Sequence, residues 1–131
     1  MKKHGVMNYP ISSVIASMGH MDQLTICDAG LPIPKGVERI DLALVPGIPT
    51  FMEVLKAVAN DLQVEKIILA EEIQTKNPLI EQEVLKVFPN IEVEYLPHTI
   101  MKTLTGSSRA VIRTGECTPY ANVILVSGVT F

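Results

Sequence analysis

Tryptophan is absent from this sequence, and neither sign of charge is abundant. Its 131 residues include no Trp, 5% aromatic residues and 19% charged residues, with 11 Lys and Arg against 14 Asp and Glu. The formal net charge is -3, and no Lys/Arg cluster stands out. Because nucleic-acid grooves and anionic membranes attract basic patches, this balance argues against either as a partner.

Several motifs and long runs are also missing. No apolar run approaches the roughly 20 residues of a membrane helix, and none follows the N-terminus as in a signal peptide. We therefore expect a soluble, cytoplasmic protein. Cys27 and Cys117 form no C-x-x-C pair, which argues against zinc and dithiol motifs and favours reduced, partly buried thiols. Neither G-x-G-x-x-G nor the Walker pattern occurs, so the sequence shows no binding motif for a nucleotide cofactor.

Apolar strand-like runs alternate along the chain with segments of helical spacing. Thr50 and Glu53 have the capping-box spacing, which predicts the start of a helix. The predicted helices cover 11–18, 51–62, 79–88 and 99–104, and the predicted strands cover 24–27, 40–44, 66–70, 91–96, 110–112 and 123–126. This order favours one α/β domain over residues 1–131, with a largely parallel central sheet flanked by helices in three layers.

Ligands of such sheets sit where strands pass into loops at their carboxyl ends. That rule selects Asp28, Glu71 or Glu72, and His98. We expect His20 to share a sheet edge with Asp28 and His98, since histidine is the usual proton carrier at neutral pH. The alternatives are structural histidines or a metal site, although no H-x-H or H-x-x-x-H spacing supports a metal. Glu71 and Glu72 fit a solvated strand end better than an acid–base pair.

The stretch 113–122 lies between two apolar runs and carries most of the remaining polar groups. It contains Arg113, Glu116, Tyr120 and Asn122, with a glycine and a proline between them. A rigid polar connection between buried strands can hold a small polar ligand, or it can be a polar loop without a site. Arg113 can clamp a carboxylate or phosphate, but we favour an ion pair with Glu116 that braces the loop.

Three blocks of the sequence resemble the ribose pyranase and fucose mutarotase family. They are Lys3–Asn8, Gly19–Pro34 with Ile40–Leu42, and Ile112–Asn122. Together the blocks span nearly the whole chain, and the last block is long and specific. Met21 stands where a small polar residue is usual in the family, and Cys27 stands where a smaller one is common. Both departures concern packing beside the site and remove no reactive group.

The resemblance implies an isomerase without a cofactor or metal, which interconverts the pyranose and furanose forms of ribose. It also implies ring-shaped homo-oligomers, often decamers, with the sugar site near a subunit interface. By position it marks His20 as the proton donor and gives the sugar-binding residues as Asp28, His98, Tyr120, Ala121 and Asn122. His98 or Asp28 would handle the opposite proton transfer. The alternatives are a non-catalytic ribose-binding protein of sugar uptake, or a mutarotase for another sugar such as fucose.

Overall fold

A six-stranded mixed sheet forms the centre of the computed structural model, which describes residues 1–131. The strand order is β2-β5-β1-β6-β3-β4. The strands are β1 (Gln23–Cys27), β2 (Glu38–Asp41), β3 (Val64–Ala70), β4 (Glu92–Leu96), β5 (Ala110–Arg113) and β6 (Val123–Ser127). Only β6 runs against its neighbours β1 and β3, while the other pairs are parallel. The prediction of a largely parallel α/β sheet is confirmed.

Helices cover both faces of this sheet. They are α1 (Tyr9–Ser17), α2 (Phe51–Ala59), α3 (Ile73–Lys76), α4 (Pro78–Val87) and α5 (His98–Leu104), followed by a 3₁₀ turn at Thr105–Ser107. Side chains of a strand alternate between faces. Leu24 and Ile26 of β1 therefore share a core with Phe51 of α2, whereas Ile124 of β6 packs with Met101 of α5 on the other face. This arrangement confirms the three layers.

The capping box at the start of α2 forms as the spacing predicts. Thr50 Oγ1 accepts from the Glu53 N–H at 3.2 Å, and the Glu53 carboxylate accepts from the Thr50 N–H at 2.8 Å. The helix then buries Phe51, Leu55 and Val58 completely. Each terminal N–H that a side chain satisfies stabilises the helix start by about 1 kcal/mol.

Some predicted boundaries differ from the structure. The second strand is Glu38–Asp41 rather than 40–44, because Leu44 turns away to donate its N–H to the carbonyl of Ile48 at 3.0 Å. Helix α1 ends at Ser17, before Gly19. The short helix α3 has no counterpart among the predicted elements, since its four residues are too few to show a helical period. No helix is long and apolar enough to cross a membrane.

Candidate active site

Three segments that are distant in sequence meet at one edge of the sheet. Asp28 follows the carboxyl end of β1, and His98 follows β4 at the first residue of α5. Because β6 runs in the opposite direction, the residues that precede it, Tyr120 to Asn122, reach the same edge. The antiparallel strand therefore brings the stretch 113–122 to the carboxyl ends of the parallel strands, where ligands of α/β sheets bind.

The carboxylate of Asp28 is fixed by three hydrogen bonds. Its Oδ1 accepts from the N–H groups of Gly30 and Leu31, each at 2.9 Å, and its Oδ2 accepts from Asn122 Nδ2 at 3.1 Å. Asn122 Oδ1 in turn accepts from the Asp28 N–H at 2.9 Å, and Asn122 is completely buried. A buried amide with both ends engaged holds the carboxylate in one orientation. Asp28 is thus preorganised before any ligand arrives.

His98 lies edge-on to the ring of Tyr120, with ring centroids 5.0 Å apart and planes at 90°. Burial lowers the pKa of His98 below its ordinary value, and the charge of Lys102 lowers it further, against opposing contributions from Glu72 and Asp28. The imidazole is therefore neutral at pH 7, with one donor and one acceptor nitrogen. Its Nδ1 is buried and has no hydrogen-bond partner in the protein.

Glu72 sets the position of His98 in the chain. Its two carboxylate oxygens lie 3.0 and 3.2 Å from the His98 main-chain N–H, which is a free donor at the first residue of α5. Glu71 differs, since its side chain is exposed and its N–H donates to the Leu96 carbonyl at 2.8 Å. The interpretation of Glu72 as a solvated strand end is therefore wrong, because this carboxylate supports a residue of the site.

Tyr120 has a left-handed backbone with φ of 57°, which costs a non-glycine residue energy and needs support from its surroundings. Asn77 supplies part of that support. Its Nδ2 donates to Thr118 Oγ1 at 3.0 Å and to the Pro119 carbonyl at 2.8 Å. The pattern Asn77-Pro78 predicts a side-chain cap for α4, but the amide makes no such bond. Instead it ties the start of α4 to the loop that carries Tyr120.

Arg113 braces the same loop from the other side, but not through Glu116. Its Nε donates to the Ala29 carbonyl at 3.0 Å, and its Nη1 lies 3.1 Å from the Asp41 carboxylate. Glu116 accepts instead from the Phe51 N–H and from Thr118 Oγ1, both at 3.1 Å. Bracing by Arg113 is confirmed, whereas the expected partner is wrong because the parallel register places Asp41 beside Arg113.

An open depression lies beside Asp28. It measures about 430 Å³ and is lined by Asp28, Ala29, Gly30, Glu116, Cys117, Thr118 and Pro119. That volume falls within the range of small-molecule sites. Cys117 is exposed on its wall, whereas Cys27 is completely buried, so the prediction of two partly buried thiols is wrong. No three His, Cys, Asp or Glu side chains come together as a metal site would require.

His20 lies at the opposite end of β1 from Asp28. It precedes the strand, and the Met21 N–H donates to the Ser127 carbonyl at the far end of β6, at 2.8 Å. Five strand residues span about 17 Å. The expectation that His20 shares a sheet edge with Asp28 and His98 is therefore wrong within one chain. The intervening strand separates groups that are only eight positions apart in sequence.

Comparisons with known proteins agree with the resemblance found in the sequence. The model of the RbsD / FucU transport protein family matches residues 1–130. This chain belongs to that family. A D-ribose pyranase of Glaesserella parasuis serovar 5 is 56% identical over 139 residues, and one of Lactobacillus gasseri is 55% identical over 131 residues. Both alignments cover 100% of this chain and of the relative.

Two solved structures have the same fold as this chain. Bacillus subtilis RbsD, solved in complex with D-ribose, matches with a TM-score of 0.98 and 47% identity over 100% of both chains. The Streptococcus pneumoniae fucose mutarotase, in complex with L-fucose, matches with a TM-score of 0.82 over 99% of this chain and 100% of its own. At 20% identity, that second likeness concerns the fold alone.

Five of the six site residues that the family resemblance predicts lie at one edge of the sheet. They are Asp28, His98, Tyr120, Ala121 and Asn122. Ala121 and Asn122 are completely buried, so their side chains offer no surface to a ligand in the single chain. Sequence reasoning missed Asn77 and the supporting role of Glu72. The position of Glu72 after the carboxyl end of β3 could have indicated its role, because site residues gather at such strand ends. Nothing in the sequence indicated the hydrogen bonds of Asn77.

Proposed function

We propose that this chain interconverts the pyranose and furanose forms of D-ribose by opening and reclosing the sugar ring. The similarity to D-ribose pyranases over the full length of both chains supports the reaction. The TM-score of 0.98 to a protein solved with D-ribose supports the sugar. The observation that carries the proposal is the preorganised Asp28 carboxylate with His98 and Tyr120 at the same edge.

Opening the ring requires proton movement and no other chemistry. The anomeric hydroxyl loses a proton and the ring oxygen gains one as the bond between the anomeric carbon and the ring oxygen breaks. A different hydroxyl then attacks the open aldehyde and loses its proton, while the aldehyde oxygen takes one up. Positioned acid and base groups contribute about 10²–10⁴-fold to such steps. We assign His20 as the proton donor. Asp28 and His98 share the proton transfer in the opposite direction and hydrogen-bond the sugar hydroxyls. A carboxylate accepts such bonds, and a neutral imidazole both donates and accepts them.

The chain has no tryptophan to stack on a sugar face, and Tyr120 supplies the aromatic surface for this contact. Its ring lies against His98, and its phenol hydroxyl can donate to a sugar hydroxyl. Asn122 keeps the Asp28 carboxylate in place, because its amide is buried and engaged with that residue. Ala121 and Asn122 are completely buried, main chain included, so we assign both to supporting the site from beneath rather than to touching the sugar. Hydrogen bonds therefore dominate over stacking in this site.

If His20 is the proton donor, the complete site needs two copies of the chain. His20 lies about 17 Å from the Asp28 edge, whereas proton transfer requires a separation of about 3 Å. Exposed apolar side chains lie near both edges: Met21 is 61% exposed beside His20, and Ile100 is 53% exposed on the helix of His98. Such surfaces are typical of contacts between copies. We propose a ring-shaped oligomer, with a decamer as the expected form, in which each site combines the two edges.

The decisive experiment measures ring exchange directly. Magnetisation transfer in NMR between the β-pyranose and β-furanose signals of ribose, with and without protein, reports the interconversion rate. We expect the protein to accelerate exchange, and His20→Ala to lose turnover while it still binds ribose. Exchange by His20→Ala at the rate of the parent would refute the role of His20. No acceleration by the parent protein would refute the activity itself.

A ribose-binding protein of sugar uptake is the second candidate, because the family is described as a transport protein family. In that case ribose binds by calorimetry, but the exchange rate of the free sugar does not change. A mutarotase for another sugar is the third candidate. It has less support, since the fucose mutarotase is only 20% identical to this chain. The same NMR experiment with L-fucose separates it, because exchange would then be faster for fucose than for ribose.

A further inference from the structure

We propose that Glu65 is a positioning residue for His20, which fixes the imidazole so that Nδ1 is the nitrogen that transfers the proton. The inference rests on the proposed role of His20 and adds the partner that orients it. Glu65 lies in β3, the strand beside β6, at the sheet edge where His20 sits. Its carboxylate oxygens lie 3.0 and 3.1 Å from His20 Nε2.

The chemistry of the pair selects one tautomer. An ionised carboxylate only accepts hydrogen bonds, so the imidazole nitrogen that faces Glu65 carries the hydrogen. Nε2–H therefore points to Glu65, and the lone pair of a neutral His20 is on Nδ1. When His20 takes up a proton, Nδ1 becomes a donor and the hydrogen bond from Nε2–H to Glu65 stays in place. Nδ1 is then the only nitrogen of His20 that is free to exchange a proton with a sugar oxygen.

The backbone around His20 is fixed independently of Glu65. Met21 has a φ of 70°, in the left-handed region that most side chains avoid. Its N–H donates to the Ser127 carbonyl at 2.8 Å, and the Ser127 N–H donates to the Asp22 carbonyl at 2.9 Å. Asp22 Oδ2 also accepts from the Gly19 N–H at 2.9 Å. With the main chain held on both sides of His20, rotation of its ring is the freedom that remains, and Glu65 removes it.

Gly128 provides the space in which Glu65 lies. A Cβ built on Gly128 would be 3.0 Å from Glu65 Cβ and 3.3 Å from its Oε2, which is closer than ordinary contact. Gly128 itself is held by a hydrogen bond from its N–H to the Gln63 carbonyl at 2.9 Å. A side chain at this position would therefore require Glu65 to move by a few tenths of an ångström. Gly128 therefore leaves room for the Glu65 carboxylate in the position that orients the His20 ring.

Exposure decides when the pair is effective. In the single chain, the side chains of His20 and Glu65 are 53% and 38% exposed, and such pairs contribute little to stability. If a second copy covers His20, as the proposed function requires, water is excluded and the same charge interaction becomes stronger. Glu65 should therefore affect turnover in the assembled protein far more than it affects folding.

The test compares Glu65→Gln with Glu83→Gln, a matched change at an exposed position of α4. We expect Glu65→Gln to lower kcat for ring exchange by on the order of tenfold with KM unchanged, because the lost contact orients a proton donor rather than the sugar. Glu83→Gln should keep the parental kcat. Glu65→Asp, which retains the charge on a shorter side chain, should recover part of the loss.

The tautomer itself gives a readout that does not depend on activity. Two-bond ¹H–¹⁵N correlation spectra at alkaline pH, with His20 assigned through His20→Ala, should show hydrogen on Nε2 in the parent. In Glu65→Gln the signals should become a mixture of tautomers, because an amide can donate or accept. Gly128→Ala should change the tautomer signals and kcat in the same direction but by less, since its Cβ requires Glu65 to move by only a few tenths of an ångström.

The outcomes separate this inference from the proposed function. An unchanged tautomer and unchanged kcat in Glu65→Gln would overturn the positioning role while His20 stays the donor. A parent spectrum with hydrogen on Nδ1 would overturn it as well. Loss of turnover in Glu65→Gln together with full activity in His20→Ala would instead refute the role of His20.

Discussion

A site shared between two copies can be tested by combining two inactive variants. His20→Ala removes the proton donor from one edge of the sheet, and Asp28→Asn removes the charge from the other. Asparagine keeps the shape of Asp28, so its oxygen can still accept from the N–H groups of Gly30 and Leu31, which lie 2.9 Å from Oδ1. Only the bond from Asn122 Nδ2 to Oδ2 is lost, because the new amide nitrogen cannot accept. Each variant alone should fold and assemble, and each should fail to accelerate ring exchange.

The expected recovery follows from the geometry of β1. Because about 17 Å separates the two edges, one chain cannot supply both groups to one sugar. In an oligomer that contains the two variants at random and in equal amounts, a site needs Asp28 from one copy and His20 from its neighbour. About a quarter of the sites then hold both intact groups, and the exchange rate should return to about a quarter of the parental value.

The assay uses the two variants co-expressed with different affinity tags, purified through both tags and compared by NMR exchange at equal protein concentration. The control is the parent chain co-expressed with the double variant His20→Ala/Asp28→Asn. A shared site gives about a quarter of the parental rate there too, whereas a site within one chain gives about half. The shared site would be refuted if the co-assembled single variants recover no activity while the control keeps about half of the parental exchange rate.

Three further predictions concern single residues. Burial lowers the pKa of His98 in the folded protein, so the unfolded chain binds more protons than the folded one below pH about 6.5. The free energy of unfolding should therefore be highest above pH about 6.5 and should fall as the pH drops toward the lowered pKa of the folded state. Urea unfolding at fixed protein concentration should show this fall, and His98→Asn should reduce it. Burial, aided by the neighbouring Asp28 charge, raises the pKa of Cys27 to about 12, so a thiol reagent should titrate only Cys117 in the folded protein and both thiols in denaturant. Asn77→Ala leaves the Pro119 carbonyl without its donor and should lower stability by about 1–2 kcal/mol in urea unfolding while raising KM for ribose.

The local signals in the sequence predicted most of the fold. The capping box at Thr50 and Glu53 forms, and the alternation of strands and helices gives the three-layer α/β arrangement. These features are local: a helix start depends on neighbours three residues apart, and a strand face on every second residue. The three sequence blocks also indicated the family correctly, since the family model matches residues 1–130.

The partners of polar side chains depended on tertiary structure. Arg113 can reach Asp41 only because the parallel register of β2 and β5 sets the two residues side by side. Asn77 precedes a proline, as a helix cap does, yet its amide bonds to a loop more than 40 positions away. A hydrogen bond depends on distances of about 3 Å, and spacing in sequence does not give those distances across a fold.

The sequence by itself determined the order of the elements, the buried faces and the set of residues able to do chemistry. Only the tertiary structure decided which of those residues lie together. Asp28 and Asn122 are 94 positions apart and share two hydrogen bonds, because antiparallel β6 returns the chain to the end of β1. His20 and Asp28 are close in sequence but lie at opposite edges of the sheet, because an extended strand between them keeps its two ends apart.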